Sequence, residues 1–206
     1  MPPNLLDGRA TTPPTAQPTS PPDETPASAL VGCVKRMASG EQAALEQLYD
    51  RTVHRVHALA YRMLGSVAAA EEVVSDVYFQ AWRSAATYDS GRSAVLTWLL
   101  VMCRSRALDA LRARDPPSQD AETFDPPAEA SDPQDLYESS ESSSRLRECV
   151  AALNPLQRQL VALAFYRGYS HSEIAAFARI PLGSVKTHIR SALRKMRSAL
   201  DGETRH

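Results

Sequence analysis

The 206-residue sequence predicts an all-α protein, made of two small helical domains joined by a flexible acidic linker. Three observations carry this. Apolar residues recur at three- and four-residue intervals over two long stretches, the period of a helix with one buried face. Thirteen of the 15 prolines fall in two polar stretches rich in Ser, Thr, Asp and Glu, which cannot bury enough apolar surface to offset their ordering entropy. Charge is segregated in step: net −2 over 1–27, +3 over 28–114, −9 over 115–144 and +7 over 145–206. The expected layout is a disordered tail (1–27), a helical domain (28–114), a flexible linker (115–141) and a second helical domain (142–206).

The first domain opens with a short helix at about 28–38, and Gly40 separates it from the next. Leu45, Leu48, Tyr49, Val53, Val56, Leu59, Ala60 and Met63 make one stripe, closed by Gly65. A helix over 68–85 follows, with Val73, Val77, Phe79 and Trp82 as expected core positions and two acids, Glu71 and Glu72, in its first turn. Residues 87–95 form a turn-rich loop. The helix 96–114 starts apolar and ends basic, and Asp115-Pro116-Pro117 stops it. In the second domain Asn154 is a helix N-cap before Pro155, and Gly168 ends that helix. Ser170 with Glu173 makes a capping box for a short helix to Ala178. After the turn 179–183 a last helix points Val185, Ile189, Leu193, Met196 and Leu200 inward and shows Lys186, His188, Arg190, Arg194 and Arg197 outward.

Composition excludes several classes. No apolar run reaches the ~20 residues that span a bilayer, and the start lacks the apolar core of a signal peptide. Three widely spaced cysteines suit a reducing cytoplasm better than a disulfide framework. No nucleophile, base and orienter are arranged together, and the eight glycines are scattered singly with no phosphate loop, so an enzyme is not expected. His54 and His57 lie three apart without a third ligand; neither a metal nor another cofactor is expected.

Two features carry chemistry. Helix 171–178, a short turn and the basic helix beyond it have the layout of a helix-turn-helix. Ser184, Lys186, Thr187, His188, Arg190 and Arg194 then lie on the helix that would enter a major groove. An ordinary hairpin with a solvated basic face is the alternative. The second feature is the helix 96–114, where Trp98 and Arg104, Arg106 and Arg112 follow a loop holding Tyr88, Asp89 and Arg92. Aromatic and basic groups together suit a single strand. For Trp98 the apolar neighbours Leu99, Leu100 and Val101 favour a core position instead.

The stretches WRSAATYDSGRSAVLTWLLVMCRSRALDALR and LNPLQRQLVALAFYRGYSHSEIAAFARIPLGSVKTHIRSALRKMR resemble a bacterial RNA polymerase sigma factor of the extracytoplasmic-function type, in the sigma-70 family. The segment AAEEVVSDVYFQAWR is similar to the family's region 2.2, TWLLVMCRSRALDALR to regions 2.3–2.4, and PLGSVKTHIRSALRKMR to the recognition helix of region 4. The resemblance implies a non-enzymatic initiation factor that binds core RNA polymerase, reads the −35 and −10 elements and melts promoter DNA for a stress- or signal-responsive regulon. Glu72, Asp76 and Gln80, spaced four apart on one face, would meet polymerase. Tyr88, Asp89, Arg92, Trp98, Arg104, Arg106 and Arg112 would hold the −10 strand, with Asp109 orienting the arginines. Ser184, Lys186, Thr187, His188, Arg190 and Arg194 would read the −35 element. Ser105, His188 and Ser191 stand where the family commonly has other residues, which bears on the promoter sequence and not on the class. The resemblance further implies an anti-sigma partner and a cytoplasmic factor held at times at the inner membrane. The acidic linker would lie in polymerase's nucleic-acid channel, unless it merely solubilises the chain.

Overall fold

A computed structural model describes residues 25–114 and 148–201, the side chains of 200 and 201 excepted. The expectations for 1–24, for the linker, for 142–147 and for the Leu200 side chain lie outside the described residues. Among those described, every regular element is helical.

The first domain packs four helices: α1 (Pro26–Ala38), α2 (Gln42–Leu64), α3 (Val67–Ser84) and α4 (Val95–Arg114), with a 3₁₀ turn at Ala85–Thr87 after α3. Thr25 caps α1 by accepting the Ser28 N–H, and proline takes the first helical position, so α1 starts at residue 26, two residues before the expected start at 28. Gly65, at φ +65°, ends α2, a conformation glycine adopts without penalty. Ser66 caps α3, which starts early enough to leave no acid in its first turn; Glu71 and Glu72 lie in the second.

The centre of α2 differs from its bulkiest stripe. Ala44, Leu48, Thr52, Val56, Ala60 and Met63 are buried, while Leu45, Val53 and Leu59 flank them and Tyr49 is 42% exposed. Small residues on the central line let α3 and α4 approach closely, and the larger ones fill the sides. Leu48, Val56, Val77 and Leu99 are fully enclosed, each worth about 2 kcal/mol in buried apolar surface. Phe79, expected in the core, is 63% exposed. It lies two residues from Val77, hence about 200° around the helix, and the two cannot face the same way.

One polar pair crosses this core. The Thr52 hydroxyl donates to the Leu48 carbonyl at 2.6 Å and so receives the Tyr78 hydroxyl, 2.7 Å away. Burial pushes the Tyr78 phenol far up, so it stays a neutral donor. Burial likewise pushes the Cys103 thiol up to about 11; it donates to the Val56 carbonyl at 3.4 Å. Cys33 and Cys149 are buried and free as well.

In the second domain α5 (Pro155–Ala162) runs into a π-helical turn, Leu163–Arg167, and is followed by α6 (His171–Ala178) and α7 (Leu182–Asp201). Both expected capping devices form. Asn154 accepts the Gln157 N–H at 2.7 Å while Gln157 reaches back to the Asn154 N–H, and Ser170 and Glu173 repeat the pattern. Leu160, Leu163, Ile174, Val185 and Ile189 make the core. Leu193, expected inside, is 54% exposed, and Ala192 is buried in its place. The packed face of α7 turns toward α5, where Lys195 donates to buried Gln157.

Thr52→Val keeps the shape of the side chain and strands the Tyr78 hydroxyl in the core. It should cost about 1–3 kcal/mol in urea denaturation, and adding Tyr78→Phe should recover part of that loss.

Candidate nucleic-acid interface

α3 and α4 lie side by side, and their outer faces form one surface. Glu72 and Asp76 are exposed on α3, and half-buried Gln80 accepts from Arg106 Nε of α4 at 3.1 Å. The residues expected to meet polymerase and those expected to meet DNA therefore touch. Phe79 stands exposed on the same helix, with the Arg83 guanidinium 5.8 Å from its ring centroid. Its distance of two residues from Val77 is the signal that places it on this outer face.

The loop before α4 is held from within. The Tyr88 hydroxyl donates to the Ser93 carbonyl at 2.7 Å, and its ring lies 4.9 Å from that of Trp98. Partial burial, then the charge of Asp89, raises the Tyr88 phenol above its ordinary value. Asp89 accepts the Gly91 N–H at 2.9 Å through its carboxylate, leaving Asp89 and Arg92 exposed on a defined turn. Trp98 is half-buried and packs against the first domain's core, so both readings of it retain a physical basis.

The arginines of α4 have separate surroundings. Arg106 is tied to Gln80, and Arg112 lies 3.7 Å from Asp109, an exposed pair one helical turn apart. Arg104 crosses to the second domain, donating from Nε to the Phe165 carbonyl at 3.0 Å and from Nη2 to that of Ala164 at 3.1 Å.

The helix-turn-helix forms as the sequence predicts. α6 ends at Arg179, whose φ of +53° makes it a non-glycine residue in the left-handed region, and α7 begins at Leu182. Lys186, Arg190 and Arg194 repeat every four residues along the exposed side of α7, beside exposed Thr187 and half-buried Ser184 and His188. The Thr187 hydroxyl donates to the Gly183 carbonyl at 2.9 Å. Lys195, tied to Gln157, is held off this ridge. From the sequence the turn 179–183 has no role beyond joining two helices, yet its Arg179 sets an exposed cation beside α7. An L-residue there costs about 1 kcal/mol relative to glycine.

Among the described residues no group of three His, Cys, Asp or Glu side chains could hold a metal ion. None of the described helices is long and apolar enough to cross a membrane.

An acidic, partly apolar helix face, a basic and aromatic helix beside it, and a separate helix-turn-helix make a two-domain helical protein with a candidate nucleic-acid surface on each domain. Residues 48–116 match the family described as Sigma-70 region 2, and residues 149–198 match Sigma-70, region 4. The ECF RNA polymerase sigma factor SigK of Mycobacterium tuberculosis (strain H37Rv) is 34% identical over 179 residues, covering 84% of this chain and 95% of that protein. SigK of Mycobacterium ulcerans is 32% identical over 176 residues, with 84% and 94% covered. Among solved structures, Rhodobacter sphaeroides SigE in complex with the anti-sigma ChrR is 29% identical, covers 84% of this chain and 99% of that one, and has a TM-score of 0.45. The chain belongs to the ECF sigma factors of the sigma-70 family, the initiation factors that bind core RNA polymerase and promoter DNA.

The Ser170–Glu173 box gives this domain an acid limb. Hydrogen bonds from the Ser170 hydroxyl, then from its backbone N–H, with a smaller attraction from Arg112, hold the Glu173 carboxyl below the usual carboxylate range. The stabilisation is complete above the unfolded value of ~4.3 and is lost as pH falls through the lowered folded one. In melting curves taken between about pH 6 and pH 3, Glu173→Gln should lose less stability on acidification than the parent chain.

Proposed function

We propose that Glu72, Asp76 and Gln80 on α3 dock core RNA polymerase. Tyr88, Asp89, Arg92, Trp98, Arg104, Arg106 and Arg112 hold the melted −10 strand, with Asp109 positioning Arg112. Ser184, Lys186, Thr187, His188, Arg190 and Arg194 read the −35 duplex. The observation that carries the assignment is the separation of charge on one scaffold. An acidic face on α3 and a repeating basic ridge on α7 sit on different domains, each exposed and each backed by its own core. The protein contributes binding and strand capture and no bond-making chemistry, so it acts without enzymatic activity or cofactor. The domain plan is a tail ahead of α1, region 2 from α1 to residue 114, a linker over 115–141 and region 4 over 142–206.

The site of action is the cytoplasm, with an anti-sigma factor as the restraining partner, at times at the inner membrane. The linker, with nine acids and no Lys or Arg over 115–144, carries the charge to lie in a basic channel of polymerase. The regulon responds to stress or to an external signal.

Charge reversal at two exposed positions, Glu72→Lys with Asp76→Lys, should weaken binding to core polymerase at least about tenfold while leaving the melting temperature near that of the parent. Undiminished binding would remove α3 from the polymerase interface. For the duplex, transcription start mapping after overexpression supplies the promoter. Arg190→Ala should then weaken binding of the reconstituted holoenzyme to it and reduce the slope of log K against log salt by about 1. An unchanged slope and affinity would take Arg190 out of the −35 contact.

A further inference from the structure

We propose that Arg179, in the turn of the helix-turn-helix, holds a backbone phosphate of the duplex beside the −35 element, a step that rests on the assignment of α7 to that duplex. The first observation is the choice of residue. Where the described backbone takes a positive φ, at Gly40, Gly65 and Gly168, glycine fills the position; Arg179, at 53°, is the exception. A Cβ is disfavoured in that region, so glycine would serve the turn better. Nothing inside the fold offsets the cost. The arginine is exposed, and among the described residues its side chain makes no hydrogen bond, ion pair or ring contact.

The turn nevertheless holds this residue firmly. The Arg179 N–H donates to the Ala176 carbonyl at 3.4 Å, and the Ile180 N–H reaches back to the Ala175 carbonyl at 3.2 Å. This paired closure ends a helix on a left-handed residue. Ile180 packs against the second domain's core, which fixes the chain on the far side of Arg179. The guanidinium is therefore carried from a defined point, three residues ahead of the start of α7. A recognition helix meets base edges through its N-terminal residues, so the turn ahead of it comes to the rim of the groove, where the phosphates lie. The near end of α7 is bare as well. A Cβ at Gly183 would stand in open space, so its absence leaves room for a strand to come close.

The chemistry suits that place. A guanidinium presents two parallel donors to two phosphate oxygens. Lys186, Arg190 and Arg194 lie on one ridge and leave α7 free to roll about it, a freedom that a cation outside the helix removes. Such a contact sets orientation and register and reads no base.

Holoenzyme reconstituted from the full-length chain tests this on the mapped promoter and on versions with single-base changes in the −35 element. Arg179→Gly should leave the chain's melting temperature at or above the parent's and its affinity for core polymerase unchanged. It should weaken promoter binding about tenfold, by the same factor for every −35 version, and lower the slope of log K against log salt by about 1. Arg179→Lys keeps the charge without the fork, and should keep the slope while losing part of the affinity. If circular dichroism shows the glycine variant less folded, Arg179→Ala takes its place, removing the guanidinium with the Cβ retained.

Unchanged affinity and slope in a folded variant would overturn the phosphate contact. A loss that depends on which −35 base is altered would make Arg179 a base reader and overturn it too. Weaker binding to core polymerase with an unchanged salt slope would assign the residue to a protein surface instead. Arg190→Ala, run alongside, separates this contact from the assignment beneath it. If that variant lowers the slope and Arg179→Gly does not, α7 keeps the −35 duplex and the phosphate contact falls. If neither changes it, both fall.

Discussion

The requirement that α4 bury Val95, Leu99, Met102, Cys103 and Ala107 governs most of what surrounds it. A helix has one turn per 3.6 residues, so fixing those five inward fixes the direction of every other side chain on it. Arg106 is sent toward α3, Arg104 toward the second domain, and Arg112 outward beside Asp109. The anchoring is chemical as well as steric. Cys103 is a small, polarisable, fully buried side chain that ties itself to the Val56 carbonyl of α2. With α4 clamped in this way, its arginines hold their relative positions without help from one another.

Much of this was legible in the sequence. The first three helices of the first domain have a dominant apolar period, whereas α4 is graded from apolar to basic along its length; the second domain announces its helix starts through Asn154 and Ser170, whose capping geometry depends on only three following residues. Local chemistry of this sort survives folding unchanged. The differences share one cause. Size and apolarity mark Phe79, Tyr49 and Leu193 as core residues, yet small Ala44, Thr52 and Ala192 hold the innermost positions. Which edge of an apolar stripe faces a neighbour depends on where that neighbour sits, and no window along a single helix contains that information.

The candidate site divides along the same line. Residues spaced by whole turns, such as Glu72, Asp76 and Gln80 or Lys186, Arg190 and Arg194, could be grouped from sequence because their common face is a property of one helix. Contacts between residues 26 or 60 positions apart, Gln80 with Arg106 and Arg104 with Ala164, could not. Arg179 stands between these cases. Its unusual backbone angle is local, but an arginine gives no compositional hint of it, whereas a glycine would have done so.

The pairing of Phe79 with Arg83 has a consequence for selectivity. An exposed aromatic ring would ordinarily adhere to any apolar surface, yet the guanidinium beside this one must be displaced or desolvated before the whole ring can be covered. An oily stranger loses the favour of the cation and gains only ring area. A surface that brings a carboxylate for Arg83 together with an apolar side chain for Phe79 keeps both. The ring's own neighbour therefore sets the terms of admission, rejecting indiscriminate contact while leaving the matching one at full strength.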